Sequence, residues 1–375
     1  MTRGALVHQL LDTAELGGGN LYALAVAERL RAEGDRATIW CHHTGPAVGE
    51  AARRGLTVRT FDQDKLKRGG FGALWQVARL AWRLRRAGGI VHVHSHVLYG
   101  FARRAVKLAG VPAIAHVHID APPESYRWAF AQPPAAIVTC AEFLAAKVRD
   151  SLPAEALART RIVAVPNAID TAKFAPGDRA AAKRLVGAPE GAPLVLMVAN
   201  LSAHKGQLVA LEALRLMRAA GSGAHLWLAG VERGGTAFTA ELHKFVESHS
   251  LGSCVQFLGQ RADVPDLMRA ADAVVLPSSN EGLPLTLLEA QASGTPVLAA
   301  PTAGVPEIVT HGETGLLLAH DDAAAYAREL AALFADPARV EALAEAALAQ
   351  ARTRTFDAMY SQLRGVYASV KKGRI

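Results

Sequence analysis

Residues Pro277–Pro306 read PSSNEGLPLTLLEAQASGTPVLAAPTAGVP, with seven residues between Glu281 and Glu289. The apolar run Ala273–Leu276 before it predicts a buried strand, Pro277–Pro284 a turn, and Leu285–Ala292 a helix whose first position accepts Pro284. A strand that turns into a helix leaves the first helical N–H groups without intrahelical partners. Those after Gly282, apart from the one Pro284 lacks, favour an anion such as a pyrophosphate. Glu281 then lies at the mouth of the anion site and Glu289 about one turn into the helix. Two carboxylates beside a phosphate repel it unless they accept hydrogen bonds from hydroxyls, as a sugar ring and a ribose diol provide. The corner suits a nucleotide sugar.

Outward from this corner, apolar strands alternate with helical patterns. Ala5–Leu10, Ala37–Cys41, Ile90–His94 and Val111–Val117 read as strands, with helices over Tyr22–Ala32 and Leu74–Arg86. A second series runs through Leu194–Val198, Ala224–Ala229, Val255–Leu258, Ala273–Leu276 and Pro296–Ala299. The expectation is an α/β chain of two doubly wound parallel-sheet domains, 1–172 and 173–354. Val165–Pro193, with four prolines and several glycines, reads as the linker. Phe356, Met359, Tyr360, Leu363, Val366 and Tyr367 recur at helical spacing and form one apolar stripe.

At 375 residues the chain is too long for one core and suits two. It contains no apolar run of about 18 residues, and Met1–Leu10 lacks a signal-peptide core, so neither a membrane span nor secretion is expected. Cys41, Cys140 and Cys254 form no metal-ligand spacing and fit reduced thiols in the cytoplasm. Residues 1–172 carry 22 Lys+Arg against 14 Asp+Glu, whereas residues 173–375 carry 19 against 20. The basic excess thus belongs to the first half. It suits an acidic acceptor or an anionic membrane, and no module for nucleic acid accompanies it.

EGxPxxxLEAxxxGTPV at 281–297, followed by Pro-Glu-Ile-Val at 306–309 and Gly-Glu-Thr-Gly-Leu-Leu at 312–317, resembles the donor-site segment of the retaining GT-B glycosyltransferases of family 4. That resemblance extends over nearly the whole chain. It implies two Rossmann-like doubly wound domains facing across a cleft, an N-terminal acceptor domain, a C-terminal donor domain, and a final helix over 355–375 that returns to the first domain. It also implies transfer of a sugar from a nucleotide diphosphate to a hydroxyl acceptor, without a metal or other cofactor. No side chain stands out as a nucleophile, which fits a front-face mechanism in which the leaving phosphate takes the acceptor's proton.

VANLSAHKGQ at 198–207 resembles the family segment that ends in Lys-Gly, so Lys205 is matched to the donor pyrophosphate. Asn200 stands where the family often has arginine and brings a hydrogen-bond donor without charge. LGGGN at 16–20 resembles the family's glycine pair, so Gly18 and Gly19 are matched to close approach of the donor phosphates. It is not GxGxxG, and no acidic residue follows the second strand, which disfavours an NAD enzyme. LGQRADV at 258–264 resembles the loop beside the base, around Arg261. By the same resemblance Glu281 holds the donor sugar and Glu289 the ribose, with Gly282, Leu283 and Leu285 on the phosphates. His118 matches the histidine that bonds the transferred sugar.

VPNAIDTAKF at 165–174 resembles the family's linker phrase, with Ala168 for the usual glycine, which disfavours a left-handed backbone there. His92, His94 and His96 alternate along one strand and His116 and His118 along another, so a metal site is conceivable. The expectation is nevertheless packing for His92, His94 and His116, and no metal. The helix at 74–86 is expected to bury Leu74, Val77, Ala78, Ala81 and Leu84, with Arg79, Arg83 and Arg86 outward and Trp75 and Trp82 toward them. With the basic loop Asp62–Arg68, this suggests a lipid-linked or otherwise anionic acceptor and peripheral contact with the inner face of an anionic membrane. A GT-B epimerase or phosphorylase, and a nucleotide-sugar-binding protein without transferase activity, remain the alternatives.

Overall fold

The structure is a computed structural model that describes residues 4–68, 70–232 and 236–371. It divides into two units, Met1–Pro166 with Asp357–Ile375, and Asn167–Phe356. The division precedes the expected 172/173 boundary because the linker phrase is tied into the second unit. Asn167 Nδ2 donates to the Leu283 carbonyl at 2.7 Å, and Ile169 bridges Thr355.

Among the described residues, the first unit carries a seven-stranded parallel sheet. Its strands are β1 (Leu6–Leu10), β2 (Arg36–Cys41), β3 (Thr57–Thr60), β4 (Ile90–Val93), β5 (Ala113–Val117), β6 (Ala136–Thr139) and β7 (Arg161–Ala164), in the order β3-β2-β1-β4-β5-β6-β7. The second unit carries β8 (Leu194–Val198), β9 (His225–Ala229), β10 (Val255–Gly259), β11 (Ala273–Leu276), β12 (Val297–Ala299) and β13 (Leu316–Leu317), in the order β10-β9-β8-β11-β12-β13. Parallel strands need crossovers, and the helices that supply them cover the sheet faces. Val7, Leu10, Ile39, Val91, Val93 and Ile114 are accordingly buried without alternation.

The expected strands are all present, within two residues of their expected ends. β3, β6, β7 and β13 were not anticipated: β3 is TVRT with an alternating exposed face, and β13 has 2 residues. The stretch 165–193 is more than a linker. It contains helix Arg179–Val186, capped by Asp178, and Lys183 Nζ pairs with Asp272 Oδ2 at 2.6 Å.

Helix Phe356–Lys371 belongs to the first unit from Asp357 onward and buries Met359, Tyr360, Leu363, Val366 and Tyr367; residues 372–375 lie outside the described residues. The helix at 74–86 runs over Gly70–Ala87, and its buried face differs from the expected one. Gln76, Leu80, Ala81 and Leu84 are inside, whereas Leu74 and Ala78 are exposed. Arg83 turns back, donating to the Thr60 carbonyl and lying over the Trp40 ring at 4.5 Å. The outward face combines Phe71, Leu74, Trp75 and Trp82 with Arg79, Arg85 and Arg86. Asp62–Arg68 is largely helix Gln63–Arg68 rather than loop. No helix among the described residues is long and apolar enough to cross a membrane.

Gly206 sets how the second unit closes on itself. Its φ is +82°, and an added Cβ would meet the Pro277 carbonyl oxygen at 2.1 Å. Gly206→Ala is therefore expected to destabilise this unit by at least about 1–3 kcal/mol, the usual strain of a left-handed non-glycine residue, seen as a lower urea midpoint.

Candidate functional site

In each sheet the strand order reverses between two neighbours, β1 and β4 in the first unit and β8 and β11 in the second. In open α/β sheets ligands bind beyond the carboxyl ends of the strands at such a reversal.

In the second unit the loops after β8 and β11 are stitched together. The His204 carbonyl accepts from the Ser279 backbone N–H at 2.8 Å and from Ser278 Oγ at 2.9 Å. Thr286 Oγ1 donates to the Val198 carbonyl at 2.9 Å, and within the segment after β8 Gln207 Nε2 donates to the Asn200 carbonyl at 2.8 Å. Between the loops Lys205 Nζ lies 2.7 Å from Glu281 Oε1, with the two side chains only 18% and 7% exposed. Two charges so far out of water need each other, because removing one leaves the other desolvated and unpaired, at about 3–5 kcal/mol.

Helix Leu285–Ala292 follows directly. Pro284 is the residue before it rather than its first position, and no side chain caps its start. Its first N–H groups are thus left to another acceptor, and an anion is favoured. The segment Thr302–Gly304 folds onto the turn: Gly304 N–H donates to the Gly282 carbonyl at 2.9 Å and Thr302 Oγ1 to the Ser278 carbonyl at 3.1 Å. Ala303 sits there at φ +47°, whereas Ala168, as expected, is not left-handed. Leu283 is buried, and Leu285 and Asn200 are half-buried. Glu289 is half-buried on the same helix; desolvation pushes its carboxyl up to about 7, against the opposing pull of Lys173. Arg261 stands apart. It is exposed, its Nε donates to Asp263 Oδ1 at 2.8 Å, and it follows β10, the outer strand, with β9 between it and β8.

In the first unit the glycine turn and His118 meet. Asn20 Nδ2 donates to the Glu15 and Thr13 carbonyls at 2.6 and 3.0 Å, fixing the loop after β1, and the helix Gly18–Ala32 starts from an extended Gly17. Gly18 is exposed, while a Cβ added to Gly19 would come 3.2 Å from His118 Cδ2. His118 stacks on His116 with centroids 3.8 Å apart, and its Nε2 lies 3.2 Å from His94 Nδ1.

Beneath them the cluster continues: His94 Nε2 bonds Gln9 Oε1 at 2.6 Å and His92 Nδ1 bonds the Tyr367 hydroxyl at 2.8 Å, while the Tyr22 ring meets His116 edge-on at 5.0 Å. Gln9, Tyr22 and Tyr367 were missed from sequence. Gln9 alone carried a signal there, as a polar residue inside the apolar strand LVHQL. His96 lies to one side, its Nε2 3.1 Å from Ser125 Oγ. Burial drives the histidine pKa values down, to about 3 for His92, about 4 for His96 and His118, and well below 6.5 for His94 and His116.

A family model described as "Glycosyl transferases group 1" matches residues 178–350, and one described as "Glycosyltransferase Family 4" matches residues 16–173. A D-inositol 3-phosphate glycosyltransferase of Thermomonospora curvata is 30% identical over 397 residues, 96% of this chain and 92% of that protein. One of the same name from Actinosynnema mirum is 34% identical over 218 residues, 56% of this chain and 52% of that protein. Among solved structures, HepE of Anabaena in complex with UDP-glucose aligns with a TM-score of 0.84 at 22% identity, covering 97% of this chain and 99% of that one.

The buried imidazoles give stability a definite pH dependence. Between about pH 6.5 and 4 the unfolded chain binds protons at His8, His92, His94, His96, His116 and His118 that the folded chain excludes, so stability falls as pH falls. Glu289, raised from 4.5 to about 7, acts in the opposite sense but is one group against six. A lower urea midpoint at pH 5 than at pH 7 is the expected result.

Proposed function

The chain belongs to the glycosyl transferases group 1, glycosyltransferase family 4, and from that premise we propose that it moves a sugar from a nucleotide-diphosphate donor to a hydroxyl acceptor with retention of anomeric configuration. It is a transferase with the two-sheet α/β architecture of GT-B enzymes. The observation that carries the reading is the Lys205–Glu281 pair at the strand-order reversal of the second sheet, beside an uncapped helix start.

A donor diphosphate would replace Glu281 as the partner of Lys205. The ammonium would then offset the charge developing on the leaving phosphate, and Glu281 would be free to accept hydrogen bonds from sugar hydroxyls. Glu289 would hold the ribose, and Asn200 with the backbone of Gly282, Leu283 and Leu285 would complete the diphosphate site. Arg261, already held by Asp263, would shape the loop near the base rather than supply a free charge. In the first unit His118, neutral and beside Gly19, would bond a sugar hydroxyl, with Gly18 and Gly19 leaving room for the phosphates. The acceptor oxygen bonds the anomeric carbon as the bond from that carbon to the diphosphate oxygen breaks, and the acceptor proton passes to the departing phosphate. No step is assigned to a metal or cofactor.

HepE bound to UDP-glucose supports a UDP-sugar as the first donor to try, and relatives named for D-inositol 3-phosphate support a phosphorylated acceptor. The basic excess of residues 1–172 points the same way. The outward Phe71, Leu74, Trp75 and Trp82, with arginines beside them, favour a cytoplasmic enzyme that touches anionic lipid. An envelope glycolipid or polysaccharide would be a product of this kind.

A thermal-shift series over UDP-, GDP-, ADP- and dTDP-sugars tests the donor site, since a ligand bound only to the folded chain raises its melting temperature. Lys205→Met and Glu281→Gln are each expected to lower turnover by about 100-fold or more. The double variant removes both charges; it should regain melting temperature but not turnover, and wild-type turnover in the double variant would end the assignment. The product's anomeric coupling in NMR tests retention. Co-sedimentation with phosphatidylglycerol vesicles at low salt, lost in Trp75→Ser/Trp82→Ser, is the expected sign of lipid contact.

A further inference from the structure

We propose that His92, His94 and His116 bind one divalent transition-metal ion of the zinc class in the interior of the first unit. They are the group of metal-capable side chains among the described residues whose ligand atoms lie within 4.8 Å of one another, and all three are buried. The strands dictate the cluster. His92 and His94 alternate along β4 and its end, so they share a face of the sheet. β5 runs parallel beside β4 with Ala115 opposite Val93, which sets His116 next to His94 on that face.

As packing groups these imidazoles are badly satisfied. His92 Nε2 and both ring nitrogens of His116 are buried without a hydrogen-bond partner. Each such polar atom costs about 1–3 kcal/mol, so aliphatic side chains would fill the space at lower cost. Three imidazoles whose ligand nitrogens lie within 4.8 Å of one another in a dry interior supply, however, the donor type that a zinc-class cation takes. Hard cations such as calcium and magnesium prefer oxygen and are not expected here.

The surroundings are those of an outer ligand shell. Gln9 Oε1 holds His94 through Nε2 at 2.6 Å and leaves Nδ1, while the Tyr367 hydroxyl holds His92 through Nδ1 at 2.8 Å and leaves Nε2. Metal-binding histidines are oriented in this way, by a hydrogen bond on the nitrogen remote from the metal. Metal–nitrogen bonds of about 2.0–2.1 Å require the rings to draw in by roughly an ångström. Coordination through His94 Nδ1 would also take that nitrogen from His118, which faces it at 3.2 Å, and so release the His118 imidazole for another partner. The ion is thus a structural clamp, not a participant in transfer.

The test is metal content, which does not depend on turnover. Full-length protein is stripped with a chelator, exposed to zinc or cobalt, desalted and analysed by mass spectrometry for metal. One equivalent per chain is expected, with a raised melting temperature and, for cobalt, an absorption spectrum and nitrogen-ligand scattering characteristic of imidazole coordination. His92→Phe/His116→Phe should lose that equivalent while keeping its circular dichroism, and the surface control His42→Ala/His43→Ala should keep it. Absence of retained metal in the wild type overturns the proposal. So does cobalt scattering without imidazole nitrogens, a wild-type measurement that stands even if the phenylalanine variant fails to fold.

Discussion

The charge pair at the centre of the candidate site depends on one topological constraint, the reversal of strand order beside the first strand of its sheet. A parallel strand must be followed by a crossover, and where the strand order reverses two strands far apart in sequence become neighbours, with the loops from their carboxyl ends on the same edge of the sheet. Lys205 and Glu281 are far apart in sequence, yet β8 and β11 are neighbours, so their loops meet and the charges pair at 2.7 Å. In the first unit the glycine turn after β1 comes beside His118, which follows β5.

The architecture was legible because parallel strands covered on both faces are written as plain apolar runs. Leu194–Val198 and Ala273–Leu276 have the ends their sequence implies, and so does helix Leu285–Ala292. β3 was hidden because an edge strand exposes one side and reads as polar, and β13 because a pair of residues has no period to detect. The helix Gly70–Ala87 was recognised but rotated. Of the stripe of Leu, Val and Ala that looked like its inner face, Ala81 and Leu84 are inside and Trp75 is outward as expected, but Gln76 is buried and Leu74 is exposed. Periodicity identifies a helix but does not say which of two apolar flanks meets the core.

The site was legible in part. Lys205 and Glu281 could be matched separately, but their contact could not, since no local pattern encodes a pairing across the sheet. The stacked histidines show the same limit. Their alternation was visible, but Gln9, Tyr22 and Tyr367, which surround them, come from three other elements. What matters about His116 is the hydrogen bond that neither nitrogen makes, a property of the packed interior alone.

The first unit is assembled from two stretches of chain, with Asp357–Ile375 returning after the whole of Asn167–Phe356. On the ribosome the second unit is complete while the first still lacks the helix that presents Tyr367 to His92. The earlier-made half of the protein must therefore wait, its histidine face uncovered, and finish after the later-made half.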